Sequence, residues 1–254
     1  MRILSLVKRV PATGGRINLS PDGRSIDTAY LGFVVSPHEE CAVEEAVRLA
    51  EAHGGETVVM TLGPAEAVDQ LRDALAIGVD RAVHLETDGS DWDPVATTAA
   101  LVEAVRTLEA DGGPFDLILV GNESADSGGY QVGIRLAVAL DRPVVNGAKA
   151  LEVSGGMATA RRQVSGGWEV YDVPLPAVIG VREGINLPRY PSVPGRLRAK
   201  KKEIGRVVPE RGAGGPELIR LALPVEQAQD VEILGSGPEA APRVVELLRE
   251  IGVL

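Results

Sequence analysis

Apolar and polar positions along this chain follow two periods in turn. Arg2-Ile-Leu-Ser-Leu-Val7 is a short, mostly apolar run, the pattern of a strand covered on both faces. From Val43 the apolar residues fall at Val43, Ala46, Val47 and Ala50, the spacing of one helical face. Ser36 is placed to cap that helix, Pro37 to occupy its first position, and Glu39 to return a bond to the cap amide; Gly54-Gly55 ends it. The pattern then predicts a strand over Thr57–Thr61, a turn at Gly63-Pro64, a helix from Ala65 to Ile77 stopped by Gly78, and a strand over Arg81–Leu85. A helix opens at Pro94 and runs to about Leu108, a strand covers Asp116–Val120, and a helix runs from Gln131 to Leu140. Such alternation predicts an α/β fold, a doubly wound and mainly parallel sheet whose ligands bind beyond the carboxyl ends of the strands.

After Pro143 the period changes. Val144–Val153, Ala158–Val164 and Trp168–Val173, separated by Gly155-Gly156 and Gly166-Gly167, predict an antiparallel insertion, and Pro176–Val181 a strand returning to the centre. Three prolines between Asn186 and Pro194 predict an ordered loop or exposed excursion. The glycines of Arg211–Pro216 read as a linker, with a last helix over Pro242–Ile251. The expected organisation is therefore one α/β domain over 1–208 and a C-terminal arm over 209–254.

Composition narrows the function classes. No apolar run approaches the roughly 18 residues of a membrane span, and Lys8 and Arg9 interrupt the Ile3–Val7 run before a signal-peptide core forms. A chain that is not membrane-embedded and lies in the cytoplasm is expected. Cys41 is the single cysteine, so no internal disulfide or multi-thiolate metal site is available, and a reducing compartment follows. The net charge of -10 and an aromatic set of two Trp, four Tyr and two Phe both disfavour nucleic acid. His38, His53 and His84 are not spaced as helical metal ligands, and neither a nucleophile elbow nor a phosphate-binding lysine motif is present. Catalytic and metal residues are therefore not assigned.

Two segments carry candidate chemistry. The turn Gly121-Asn-Glu-Ser-Ala-Asp-Ser-Gly-Gly-Tyr-Gln-Val-Gly133 places glycines and hydroxyls where amides at a helix start can face a phosphate. Glycine also serves a plain tight turn there, and Glu123 and Asp126 repel a phosphate unless they bind ribose or point away. Arg196-Leu-Arg-Ala-Lys-Lys-Lys202 carries five basic residues in seven. On an acidic protein this is either a solvated face or a steering surface, and it follows Pro188–Pro194, whose prolines present Tyr190 and Val193 at low ordering cost.

Asn186-Leu-Pro-Arg-Tyr-Pro-Ser-Val-Pro-Gly-Arg-Leu-Arg-Ala-Lys-Lys-Lys-Glu-Ile204 resembles a signature of electron transfer flavoprotein beta subunits. Val7–Val10, Ala42–Leu49, Gly63-Pro64, Ala74–Arg81 and Leu175–Val178 resemble further blocks of that family in the same order. The resemblance implies an adenine nucleotide alpha hydrolase-like, Rossmann-type fold and a non-enzymatic electron carrier subunit. Its alpha subunit would hold most of the FAD, and this chain would bury a structural AMP. It implies an AMP site of Leu6, Ser36, Pro37, His38, Glu39, Leu62, Gly121, Asn122, Glu123, Ser124, Ala125, Asp126, Ser127, Gly128, Gly129, Tyr130, Gln131 and Val132. It implies a partner loop of Arg189, Tyr190, Pro191, Ser192, Val193, Pro194, Gly195 and Arg196, with Val193 in the place of a leucine anchor. The partners implied are the alpha subunit, acyl-CoA or related flavoprotein dehydrogenases and a quinone reductase, in the setting of fatty acid oxidation. Two positions depart from the family: Ser165 precedes Gly166-Gly167 where an acidic residue is usual, and Thr13 stands where an aromatic approaches the flavin. Gln131-Val-Gly133 resembles bifurcating members, in which a second FAD replaces AMP. An ATP-binding or ATP-hydrolysing protein on the same architecture is the reading from another class.

Overall fold

The structure is a computed structural model that describes all residues except 13, 15, 16, 213 and 225–230. Thr13 therefore lies outside the described residues. The elements in order are β1 (Arg2–Val7), β2 (Val10–Pro11), β3 (Asn18–Leu19), β4 (Ile26–Asp27), β5 (Phe33–Val34), α1 (Pro37–His53), β6 (Glu56–Gly63), α2 (Val68–Ile77), β7 (Arg81–Glu86), α3 (Pro94–Gly112), β8 (Leu117–Gly121) and α4 (Val132–Ala139). They continue with β9 (Val144–Ser154), β10 (Met157–Val164), β11 (Gly167–Pro174), β12 (Ala177–Val181), α5 (Val193–Lys201), β13 (Ile204–Val207) and α6 (Ala241–Glu250).

Nine strands form one sheet in the order β11-β10-β9-β12-β8-β1-β6-β7-β13. Every pair from β9 to β13 along that order is parallel, and only the pairs made by β10 are antiparallel. Alternate residues of each strand serve opposite faces. Leu4, Met60, Ile118 and Val178 pack with Leu101, Val105 and Leu136 of α3 and α4. Ile3, Leu117, Leu119 and Ile179 pack with Cys41, Ala42, Ala46 and Leu49 of α1, while Val7, Val59 and Ala82 pack with Leu71 and Leu75 of α2. The sheet is thus doubly wound, and the chain crosses from β7 at one side of β1 to β8 at the other, which makes the β1/β8 junction its switch point.

Three expectations are corrected. Val144–Val153 is not antiparallel throughout: β9 pairs parallel with β12 and only then continues into the β10 and β11 ladder. Its burial falls along its length because the strand starts inside the sheet and outgrows its cover. Pro194 does not end structure but starts α5, since a proline in the first helical turn gives up only an amide that has no partner there. Ser36 holds the extended cap conformation but its hydroxyl makes no cap bond, the Glu39 and Glu40 amides donating instead to the Ser36 carbonyl at 2.9 and 3.0 Å, while the Glu39 carboxyl accepts the Lys8 amide just past β1.

Beyond β13 the chain returns to the N-terminal excursion, where Arg24 pairs with Glu217 at 2.8 Å and the Leu221 amide donates to Gly23 at 2.7 Å. α6 buries none of its residues among the described ones, and Val244, Val245, Ile251, Val253 and Leu254 at the C-terminus stay exposed.

Candidate nucleotide site and docking surface

A cavity of about 410 Å³ opens at the switch point, lined by Pro37 and His38 at the start of α1 and by Glu123, Ser124, Ala125, Asp126, Ser127 and Gly128 after β8. Small-molecule sites occupy about 300–1,000 Å³. Its floor depends on a close approach: a Cβ on Gly121 would lie 2.6 Å from Cγ of Glu39, so glycine lets α1 press onto the end of β8. Ser124 and Ser127 hydroxyls meet at 2.8 Å, and the Ser127 amide donates to Asp126 Oδ1 at 2.8 Å, which folds the loop over itself.

The loop's two carboxylates are engaged by neighbours. Asp126 Oδ2 receives Nζ of Lys8 at 2.5 Å. Burial opposes its charge, yet Lys8 wins and holds the carboxyl below the usual range. Glu123 Oε1 lies 3.2 Å from Nε2 of His38. The Glu183 amide donates to Nδ1 of the same ring at 2.7 Å, so Nδ1 is the acceptor and Nε2 carries the proton that Glu123 receives. Glu39, below them, is buried with a carboxyl pushed up to about 7, chiefly by desolvation, with the Lys8 amide at 3.1 Å opposing the shift. Within the lining the Ser124 and Ser127 hydroxyls bond to each other, and the chain continues past Gly128 to the start of α4, whose first amides lack partners in the helix itself.

Asp126 is paired with the Lys8 cation, whereas the neutral His38 ring donates a hydrogen bond to Glu123 without offsetting its charge. Leu6 and Leu62 stand apart from this lining: each packs into the core at the carboxyl ends of β1 and β6. Asn122 donates its amide to Val181, which ties the loop to β12. Gly129, Tyr130, Gln131 and Val132 lead into α4, with Tyr130 held at φ 53°. Lys8 was missed as a site residue. The signal available was its place one residue past the carboxyl end of a predicted central strand.

The second candidate segment, 186–201, has an inward and an outward set. Arg189 turns inward: its Nε lies 3.0 Å from Glu44 Oε2 and its Nη1 2.7 Å from Glu51 Oε1, both on α1. These bonds push the guanidinium further above its ordinary range. Asn186 Nδ2 donates to Glu45 at 2.8 Å and to the Cys41 carbonyl at 3.0 Å. Ser192 caps α5 by accepting the Gly195 amide at 3.1 Å. Gly195 is buried where its Cβ would lie 2.3 Å from the Ala76 carbonyl, and Arg72 donates to the Ala199 and Lys202 carbonyls, so α5 lies close on α2. Lys202, part of the basic run, donates to Val79 and Asp80 carbonyls. Pro191 is half-buried; Tyr190, Val193, Pro194 and Arg196 are exposed.

A doubly wound sheet with a polar cavity at its switch point places the chain among the Rossmann-like α/β proteins. The family model for the electron transfer flavoprotein domain matches residues 25–211. The chain is 34% identical over 250 residues to an electron transfer flavoprotein subunit beta of Syntrophomonas wolfei, covering 98% of this chain and 96% of the relative. It is 35% identical to that of Bacillus subtilis over 98% of both chains, and 37% identical to the mitochondrial one of Oryza sativa subsp. indica over 83% of both. The chain belongs to the beta subunits of the electron transfer flavoprotein family. These are components of electron carriers, and among the described residues no helix is long and apolar enough to cross a membrane.

Proposed function

We propose that this chain forms a heterodimer with an electron transfer flavoprotein alpha subunit, binds AMP as a structural ligand at the β1/β8 switch point, and supports FAD held mostly by the alpha subunit. The heterodimer takes electrons from acyl-CoA or related flavoprotein dehydrogenases and passes them to a quinone reductase, in the cytoplasm. The observation that supports the reading is the cavity at the switch point, where Lys8 offsets the charge of Asp126 and His38 donates a hydrogen bond to Glu123 beside the serine hydroxyls.

Bound FAD supplies the electron-carrying chemistry. This chain's residues bind and orient. Ser124, Ser127 and the amides from Gly128 to Val132 would hold the phosphate and ribose of AMP, Pro37 and His38 would wall the site, and Glu39 would keep its floor closed against Gly121. The domain over 1–208 carries this site. The arm over 209–254 contacts the alpha subunit, a role supported by the exposed Val244 and Val245 of α6, which has no fully buried residue among the described ones, and by Ile251 just beyond it. The partner segment from Arg189 to Arg196 docks the dehydrogenase through Tyr190 and Val193.

Co-expression with the alpha subunit, purification, denaturation and quantification of released nucleotide tests this. One FAD and one AMP per heterodimer are expected. Two FAD and no AMP would replace the reading with a bifurcating carrier, and ATP turnover by the isolated chain would replace it with a nucleotide hydrolase. No complex and no nucleotide would overturn it.

A further inference from the structure

Strands β8 and β12 lie side by side and parallel, so the chain leaves both at the same end of the sheet, beside the start of α1. The exit of β8 is the loop that lines the cavity; the exit of β12 is a turn over 182–185, closed by the Ile185 amide on the Arg182 carbonyl at 3.3 Å. One backbone bond ties the exits together, from the Asn122 amide to the Val181 carbonyl at 2.8 Å. A second tie runs through the ring of His38, whose Nδ1 accepts the Glu183 amide at 2.7 Å and whose Nε2 donates to Glu123 Oε1 at 3.2 Å. The His38 side chain is only 16% exposed, which leaves little room for water to replace either partner. The two bonds respond oppositely to one proton. An imidazole protonated at Nδ1 has lost its acceptor, so the Glu183 amide is left facing another N–H, while the Nε2 bond to Glu123 becomes charge-assisted. The charged and titratable groups around the ring decide what that proton changes. Glu123 and Asp126 line the cavity with it, and Asp126 is already paired with Lys8. Glu39 and Glu40 follow on α1, Arg182 and Glu183 stand in the turn, Lys149 donates to the Glu183 carbonyl at 2.5 Å, and Tyr130 before α4 lies near Glu123 and Arg182. Glu123 is the carboxylate that touches the ring, and among the described residues it has no Lys or Arg partner.

We propose that His38 is a proton-operated latch between the two strand exits: neutral, it fastens the 182–185 turn to α1; protonated, it lets that turn go and offsets the charge of Glu123, so that an anionic nucleotide is held more tightly in the cavity. The proton comes from solvent and adds to Nδ1, and the Nε2 proton stays where it is. The nucleotide half of the inference rests on the AMP reading above and gives that site a regulation; the turn half rests on the two bonds of the ring alone. In this role His38 is a positioning residue, acting through the Glu183 amide and the Glu123 carboxylate. By linkage, a nucleotide favours the protonated ring by the same factor by which the proton favours the nucleotide, so filling the cavity loosens the turn. The release is local. The Arg182 amide still donates to the Ala148 carbonyl at 2.9 Å and Lys149 still holds the Glu183 carbonyl, so β12 keeps its place in the sheet.

The test follows amide exchange at 182–185 and equilibrium binding of labelled AMP on the αβ heterodimer from about pH 5 to 8, the span in which histidine side chains change charge. Exchange is expressed as protection, with the intrinsic pH dependence of amides divided out. In the wild type, protection at 182–185 should fall about threefold to tenfold from the top of that span to the bottom, the worth of one hydrogen bond, with β12 itself unchanged. His38→Gln keeps one acceptor and one donor but takes no proton, so its protection should stay flat, and His38→Phe should show the low value at every pH. The phosphate of AMP gains a proton at about pH 6, and Glu39, pushed up to about 7, titrates in the same span. Affinity is therefore read as the ratio of wild type to His38→Gln, in which both contributions cancel. That ratio should rise about twofold to fivefold as pH falls, and Glu123→Gln should abolish the rise while the turn still releases. Wild-type protection that does not change with pH would overturn the latch, whether or not the variants fold. A fall that persists in His38→Gln would assign the proton to another group and overturn the role of His38. A flat affinity ratio beside a turn that releases would overturn the link to the nucleotide. A heterodimer that binds no AMP at any pH would overturn the AMP reading and the nucleotide half together, with the latch still decided by exchange at the turn.

Discussion

The cavity and the docking segment both hang on α1, and they use its charges in opposite ways. At its N-terminus, His38 and Glu39 turn inward beside a concave site, His38 donating to Glu123 and Glu39 accepting the Lys8 amide. Along its flank, Glu44, Glu45 and Glu51 hold Arg189 and Asn186 beneath a convex surface, so that apolar side chains are what a partner meets. One helix can support both because its successive faces are independent: His38 and Glu39 near its start reach the strand ends, while Glu44, Glu45 and Glu51 further along reach the loop. The difference teaches that charge in this protein is mostly scaffolding, and that the surfaces offered to other molecules are the groups the charges leave uncovered.

Perturbing one region without the other would sharpen that comparison. The largest effect is expected from Gly195→Val, whose Cβ cannot coexist with the Ala76 carbonyl at 2.3 Å. It should cost about 3 kcal/mol, the upper part of the range for overpacking, read as a lower urea midpoint. Docking should weaken with AMP content intact, and loss of AMP as well would show the two regions to be one cooperative unit.

Next in size is the titration of Glu39. Its folded value of about 7 lies above its ordinary 4.5, so between those pH values the folded chain holds a proton that the unfolded chain has released. The stability contribution is full below about pH 4.5 and is lost as pH rises to about 7, amounting to roughly 2–3 kcal/mol. Urea midpoints of the heterodimer measured across that window should fall with pH, and Glu39→Gln should flatten the fall. A slope unchanged in the variant would place the titrating group elsewhere.

The smallest effect is expected from Asp126→Asn. The pair with Lys8 is partly exposed, so stability should change by less than about 1 kcal/mol. Lys8 is then free to face an anion, and AMP measured by equilibrium binding should be held a few-fold more tightly. Weaker AMP binding would instead show Asp126 itself contacting the ribose.

Much of this was legible in the residues. The strands at 2–7, 56–63, 81–86 and 117–121 and the helices between them match the predicted runs to within a few residues, because burial on two faces leaves an unbroken apolar run and burial on one leaves a helical stripe. The loop after β8 and the segment at 186–196 were both singled out. What escaped was non-local. Pro194 read as a breaker although it starts a helix, since the same ring that forbids a helix interior suits its first turn. Ile204–Val207 gave too short a signal to predict β13, which exists because the open edge of β7 accepts it. Lys8 and Asp126 stand 118 residues apart, and no local pattern marks such a pair.

By itself, then, the sequence determined the layered α/β architecture, the family and the two segments that carry candidate chemistry, since periodicity and contiguous motifs are properties of neighbouring residues. Only the tertiary structure decided which charges neutralise one another, which glycines are there for a close approach, and which side of 186–199 faces outward. Those depend on distances between elements far apart in the chain, and a carboxylate has the same place in the sequence whether it repels a ligand or is already paired with a lysine.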